Sequence, residues 1–102
     1  MSTRMLIDVF MQKANFNSVR SLADKSGIER TRMQNIRNGQ TRISVEEEVR
    51  IAEACGLDPL EVIAAFETER EPDMAYFWSR YADVESAYDG FDKDPLRQTK
   101  SC

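Results

Sequence analysis

The chain has 102 residues, 41% of them hydrophobic and 31% charged, with a net charge of −4. That is enough for one domain with a modest core, and no apolar run reaches the roughly 18 residues that a membrane-spanning helix needs. With no histidine in the chain, a Ser-His or Cys-His nucleophile, a His acid–base pair and a mixed Cys/His zinc site are excluded.

Met5 to Ala14 repeats apolar residues at helical spacing, with Leu6, Val9 and Phe10 on a stripe that Met5 and Ile7 broaden, and it predicts a first helix. Acidic and amide residues interrupt the apolar ones and no small-residue cleavage site follows, so the expectation is a cytoplasmic protein without a secretory signal. Phe16, in the connector Asn15-Phe16-Asn17, reads as a core plug or, more sharply, as a base-stacking aromatic.

Asn17 to Gln40 reads as two short helices joined by a tight turn, and the rest of the chain is organised around it. Ser18 can cap the second helix, which turns Val19, Leu22 and Ala23 inward and leaves Arg20, Ser21, Asp24 and Lys25 wet. Gly27 suits a left-handed turn, with Ile28 buried beneath it. The third helix, Glu29 to Asn38, has Met33 and Ile36 on one side and Thr31, Gln34, Asn35 and Asn38 on the other, flanked by Arg30 and Arg32. Amides pair bidentately with adenine, arginine with guanine, and the threonine methyl meets that of thymine, so this face carries base-reading chemistry. Any exposed helix face is polar; the turn and the preceding helix are what favour the major groove.

The acidic net charge runs against nucleic-acid binding until its distribution is considered. Residues 18–42 hold Arg20, Lys25, Arg30, Arg32, Arg37 and Arg42 against Asp24 and Glu29, a local +4, which leaves 8 basic and 16 acidic residues, or −8, to the remainder. A basic face on an acidic body orients DNA and discourages adhesion elsewhere.

Asn38-Gly39 stops the third helix, and Gln40-Thr41-Arg42 forms a basic loop suited to a sugar–phosphate backbone or to a solvated connection. Ser44-Val45-Glu46-Glu47 is a capping box for a fourth helix whose inner face is Val49, Ile51, Ala52 and Cys55. The Glu46-Glu47-Glu48 run is expected as a solvated first turn that complements the helix dipole, in preference to a carboxylate metal site. Cys55 reads as core, and Cys102 is the last residue, which is no disulfide framework.

Gly56 closes the fourth helix, and Asp58-Pro59 opens a fifth, from Pro59 to about Arg70, whose apolar residues are too broadly spread for a single neighbour. A sixth helix is expected from Asp73 to about Val84, with Met74, Phe77, Trp78 and Tyr81 on one stripe that packs on the fifth helix or pairs with a second copy. From Glu85 periodicity is lost. A solvated tail is expected there, with Tyr88, Phe91 and Leu96 as anchors in the alternative reading.

At Leu22-Ala23, Gly27-Ile28, Met33, Ile36, Asn38-Gly39 and Ala52 to Gly56-Leu57, the chain resembles the lambda-repressor-like, Cro-type helix-turn-helix family, also called the xenobiotic-response-element family. The resemblance spans about Val19 to Phe66. It implies an all-α fold: a compact five-helix bundle, to which this chain adds an aromatic C-terminal helix and a loose tail. It also implies base contacts at Arg30, Thr31 and Asn35, with Gln34 assisting, and phosphate contacts at Asn38, Gln40, Arg42 and Ser18 to Arg20. Arg32, flanking the read face, joins the expected phosphate set. Val19 stands where many members have a glutamine, with Arg20 beside it as a substitute, and Arg37 stands where a glutamate is common, which makes the local field more positive.

The resulting expectation is a DNA-binding domain over residues 1–70, a candidate dimerisation helix over 71–84 and a tail over 85–102. The function it implies is a phage or prophage-type repressor that binds a palindromic operator in double-stranded DNA as a homodimer. The alternative is an antitoxin or adaptor that grips another protein through Met74, Phe77, Trp78, Tyr81 and the tail. No enzyme, cofactor or metal is expected, since no phosphate-cradling glycine loop, ligand cluster or activated nucleophile stands out.

Overall fold

The computed structural model describes residues 2–82, and among them every regular element is helical. In chain order these are α1 (Thr3–Lys13), α2 (Val19–Ser26), α3 (Arg30–Arg37), α4 (Val45–Cys55), α5 (Pro59–Arg70), a 3₁₀ turn (Pro72–Met74) and α6 (Ala75–Trp78).

Each of the first five helices begins where a side chain accepts an early backbone N–H, which satisfies a donor that has no partner within the helix. Ser2 caps α1, Ser18 caps α2, Glu29 caps α3 and Asp58 caps α5, while Ser44 and Glu47 close a reciprocal capping box on α4. The Ser2 cap starts α1 two residues ahead of the apolar stripe that announces it. Glu29 lies outside α3 as its cap, its carboxylate accepting from Thr31 N at 2.7 Å and Arg32 N at 3.1 Å. Gly27 ends α2 with φ 75°, in the left-handed region that side chains with a Cβ enter only at a cost.

The inward stripes meet in one core. Leu6, Ile7, Val9 and Phe10 of α1, Leu22 and Ala23 of α2, Met33 and Ile36 of α3, Ile51 and Ala52 of α4, and Val62, Ala65 and Phe66 of α5 form a single buried cluster, closed by Ile28 and Ile43 from the turns. Phe10 meets Phe66 edge-on, ring centroids 5.4 Å apart. Phe16 is half-buried against this cluster, as a plug, and so is Cys55. The broad apolar surface of α5 has its reason in packing, for α5 touches α1, α4, the 3₁₀ turn and α6.

Two expectations are corrected. The sixth helix is far shorter than Asp73 to Val84: a 3₁₀ turn leads into four α-helical residues, and Tyr81 N bonds to Trp78 O in a tight closing turn. Neither segment has a side-chain cap, Ser79 turns its hydroxyl back onto the Tyr76 carbonyl, and past Trp78 the N–H groups of Arg80 and Tyr81 bond three residues back, which tightens the turn. Residues 83 and 84, and the tail with Tyr88, Phe91 and Leu96, lie outside the described residues.

The acidic first turn of α4 is the second correction. Glu46 is solvated and reaches Arg50, Glu47 turns to Arg32, and Glu48 is fully buried. Glu48 stands one turn ahead of Ile51 and Ala52, so the helical period carries it onto the inner face.

Candidate functional site

The pair α2 and α3 presents the site. Gly27 turns the chain, Ile28 N bonds to Ala23 O at 3.1 Å, and buried Ile28, Met33 and Ile36 fix the inner side of α3. Its outer side then follows from the 3.6-residue period: Thr31, Gln34 and Asn38 are exposed and Asn35 is half-buried at the edge of the same face. Gln34 Nε2 donates to Asn38 Oδ1 at 3.3 Å, one turn along. The Asn35 amide makes no side-chain hydrogen bond among the described residues, while its backbone carbonyl accepts from Gln40 N at 2.9 Å and folds the following loop against the helix end.

Three arginines of α3 have different roles. Arg30 forks onto Asp24 of α2 at 2.9 and 2.8 Å, with both side chains about half exposed. The Arg30 guanidinium holds the Asp24 carboxyl below its ordinary range, and Asp24 raises Arg30 in turn. Arg30 therefore lies at the start of the exposed face on a solvent-screened pair that a stronger acceptor can replace.

Arg32 turns the other way. Its Nε and Nη2 fork onto Glu47 at 2.8 and 2.9 Å, Nη1 reaches Thr41 Oγ1 at 2.9 Å and Nη2 also donates to the Arg42 carbonyl at 3.0 Å. A guanidinium has five N–H donors and four are used here, so Arg32 serves as an internal clamp and keeps one N–H for the phosphate contact expected of it. It ties the start of α3 to the capping box of α4 and fixes loop 40–42. The same fork holds the Glu47 carboxyl down at about 2.

Arg37 points away from the exposed face and forks onto Asp8 of α1 at 3.0 and 3.2 Å. Its charge is offset there, so the more positive local field expected from Arg37 is corrected to a neutral pair. Glu29 is held low by the Thr31 and Arg32 backbone N–H groups it caps.

Of the other expected contacts, Ser18 is engaged as a cap, accepting from Ser21 N at 3.1 Å and meeting Ser21 Oγ at 3.0 Å. Arg20, Gln40 and Arg42 are exposed. The structure thus gathers Arg30, Thr31, Gln34, Asn35 and Asn38 along one helix face, with Gln40 and Arg42 beyond its C-terminal end and Arg32 turned toward Glu47 and Thr41.

The C-terminal stripe is divided. Phe77 and Tyr81 are exposed while Met74 and Trp78 are half-buried, and Phe77 packs on Trp78 and Tyr81 with centroids 5.2 and 5.4 Å away. Tyr76, off the stripe, is 72% exposed, with the Arg80 guanidinium 4.8 Å over its ring.

One cluster escaped the sequence. Burial, and then Glu67 beside it, pushes the Glu48 carboxyl up to about 9. Both Glu48 oxygens and Glu67 Oε2 are enclosed with no donor, while Glu67 Oε1 takes Arg70 Nη2. A proton retained on Glu48 and shared with Glu67 supplies the missing donor, so Glu48 is a neutral acid at pH 7. Cys55 is likewise raised, to about 11, by burial, which leaves an inert thiol.

Comparison of the chain with protein-family models, curated proteins and solved structures finds no match.

Proposed function

We propose that the chain is a sequence-specific DNA-binding regulator of the lambda-repressor-like kind, its first five helices a bundle that offers α3 to the major groove. One observation carries the reading: Thr31, Gln34 and Asn35 lie along the outward side of a helix whose opposite side, Met33 and Ile36, is locked in the core. Rigid presentation matters because a base-edge hydrogen bond tolerates little misplacement. Arg30 can exchange Asp24 for guanine, Asn35 has an uncommitted amide for adenine, and Asn38, Gln40, Arg42 and Arg20 are exposed where a sugar–phosphate backbone would flank the helix.

One such helix reads only a few base pairs, so a palindromic operator and a homodimer belong to the proposal, with repression in a phage or prophage setting as its biological form. Selection of binding fragments from a random duplex pool, followed by footprinting, tests it. The expected result is a pair of inverted half-sites centred about 34 Å apart. Recovery of unrelated sequences at the frequency of the starting pool would reject it.

A second reading has its own support. Tyr76, Phe77 and Tyr81 are exposed on a segment of very few residues, the residue mix of a binding hot spot. An antitoxin or adaptor would use that surface on another protein. Recovery of a stoichiometric partner with the wild type and not with Phe77→Ala supports this reading, and a homodimer purified alone opposes it.

A further inference from the structure

Beyond the C-terminal end of α3 lies a cleft of about 610 Å³ between the start of α1, loop 38–42 and the end of α5. Four arginines line it from four places in the chain: Arg4, Arg37, Arg42 and Arg70, with Glu69 as an acidic lining residue. Arg37 is held by Asp8 and Arg70 by Glu67, whereas the side chains of Arg4 and Arg42 make no hydrogen bond or ion pair among the described residues. Arg70 is under-satisfied, since its Nε has no acceptor.

The backbone adds donors to the same place. Ser2 Oγ takes Met5 N and Ser2 O takes Leu6 N, so the Thr3 and Arg4 N–H groups at the head of α1 have no acceptor among the described residues. Thr3 and Arg4 both line the cleft. Unpaired N–H groups at a helix start and convergent guanidinium groups both suit an anion with several oxygens. Asn38 and Gly39 line the cleft too, which makes it continuous with the outer face of α3.

We propose that this cleft grips a phosphodiester of the DNA strand beyond the bases that α3 meets, with Arg4 and the head of α1 as its principal donors. This rests on the DNA-binding reading and extends the contact surface to an element that no local motif points to. A free phosphate-bearing solute shares the chemistry, but the continuity with α3 favours a strand that runs past the helix end.

The test is a salt titration of affinity for a duplex carrying the selected sequence, with wild type, Arg4→Gln and Arg4→Lys. Arg4 is exposed and has no side-chain partner among the described residues, so both variants are expected to melt with the wild type. Arg4→Gln is expected to bind about 3- to 10-fold more weakly near physiological salt and to lower the salt slope by about 1, while Arg4→Lys keeps the slope. If the wild type selects its sequence and Arg4→Gln matches it in affinity and slope, the cleft proposal falls and the DNA reading stands. If the loss is shared by Arg4→Lys, or follows a lowered melting point, the cleft proposal falls too. If the wild type prefers no duplex, the DNA reading falls first. Inorganic phosphate that protects the free protein as strongly as the duplex does would assign the cleft to a small solute and overturn the proposal.

Discussion

Glu47 and Glu48 are neighbours in the first turn of α4 and have opposite protonation behaviour: Arg32 holds the Glu47 carboxyl at about 2, and burial beside Glu67 lifts Glu48 to about 9. One faces the capping box and the fork of a guanidinium. The next, about 100° around the helix, enters the core.

Glu48 sets the alkaline side of the stability profile. Its folded value is raised from 4.5 to about 9, so the stability linked to its proton is complete below pH 4.5 and is lost progressively as pH rises toward 9. Glu48→Gln keeps the shape, supplies an N–H for Glu67 and has no proton to lose. We expect it to stabilise the protein by about 1–3 kcal/mol at pH 8 and to flatten the profile between pH 5 and 9. Thermal melts of both proteins across that range check this; a variant whose melting point falls with pH in parallel with the wild type would assign the slope to another group.

Glu47 sets the acid side. Its folded value is lowered from 4.5 to about 2, so the contribution of the Arg32 fork is present above pH 4.5 and is lost as pH falls toward 2. Glu47→Gln is expected to cost about 1–2 kcal/mol at pH 7 and to make the acid limb shallower. Arg32→Lys retains the charge but cannot fork or span Glu47, Thr41 and Arg42 together, so it should lower the melting point and loosen loop 40–42. Hydrogen exchange at Gln40 and Ser44, whose N–H groups bond to the Asn35 carbonyl and the Glu47 carboxylate on either side of the loop, reads that loosening, and unchanged protection would contradict the clamp.

Gly27 is fixed by its backbone. Gly27→Ala is expected to cost about 1–2 kcal/mol through φ 75°. Its Cβ would lie 3.0 Å from Arg50 Nη1, the end of a side chain that can move away. At Gly56, with φ 69° and open space for 4 Å around the place a Cβ would take, the same substitution should cost about as much in denaturant titrations. A markedly larger loss at Gly27 would mean that Arg50 is held more firmly than its exposed pair with Glu46 implies.

Phe77 separates self-association from folding. Because it is 40% exposed, Phe77→Ala should leave the unfolding free energy within about 1 kcal/mol of wild type in denaturant titrations. If α6 pairs two copies, sedimentation equilibrium should show the dimer constant weakened at least about tenfold. A dimer of undiminished affinity would exclude this residue from the interface.

Most helix boundaries were legible because they are local. Ser18, the Ser44-Glu47 box, Asp58-Pro59, Gly27 and Gly56 each act within four residues, and all five do in the structure what their chemistry dictates. The outward face of α3 was legible for the same reason, as the complement of Met33 and Ile36. Arg32 to Glu47 and Arg37 to Asp8 span 15 and 29 residues, so no pattern in the chain announces them. Glu48 is instructive: its position in register with Ile51, Ala52 and Cys55 marked the inner face, but its carboxyl type argued for water. The stripe from Met74 to Tyr81 had the period of a helix without the caps, and the period alone overstated its length.

The central claim is that the outward face of α3 meets base edges, and Asn35→Ala tests it most directly. Asn35 is at the edge of the face, with an amide that no described side chain occupies, so its loss should leave folding intact. Affinities of wild type and variant for the selected duplex and for a scrambled one decide the matter. We predict a loss of about 10- to 100-fold on the selected duplex, with the scrambled duplex unchanged. Equal affinity of the two proteins for the selected duplex would contradict the account.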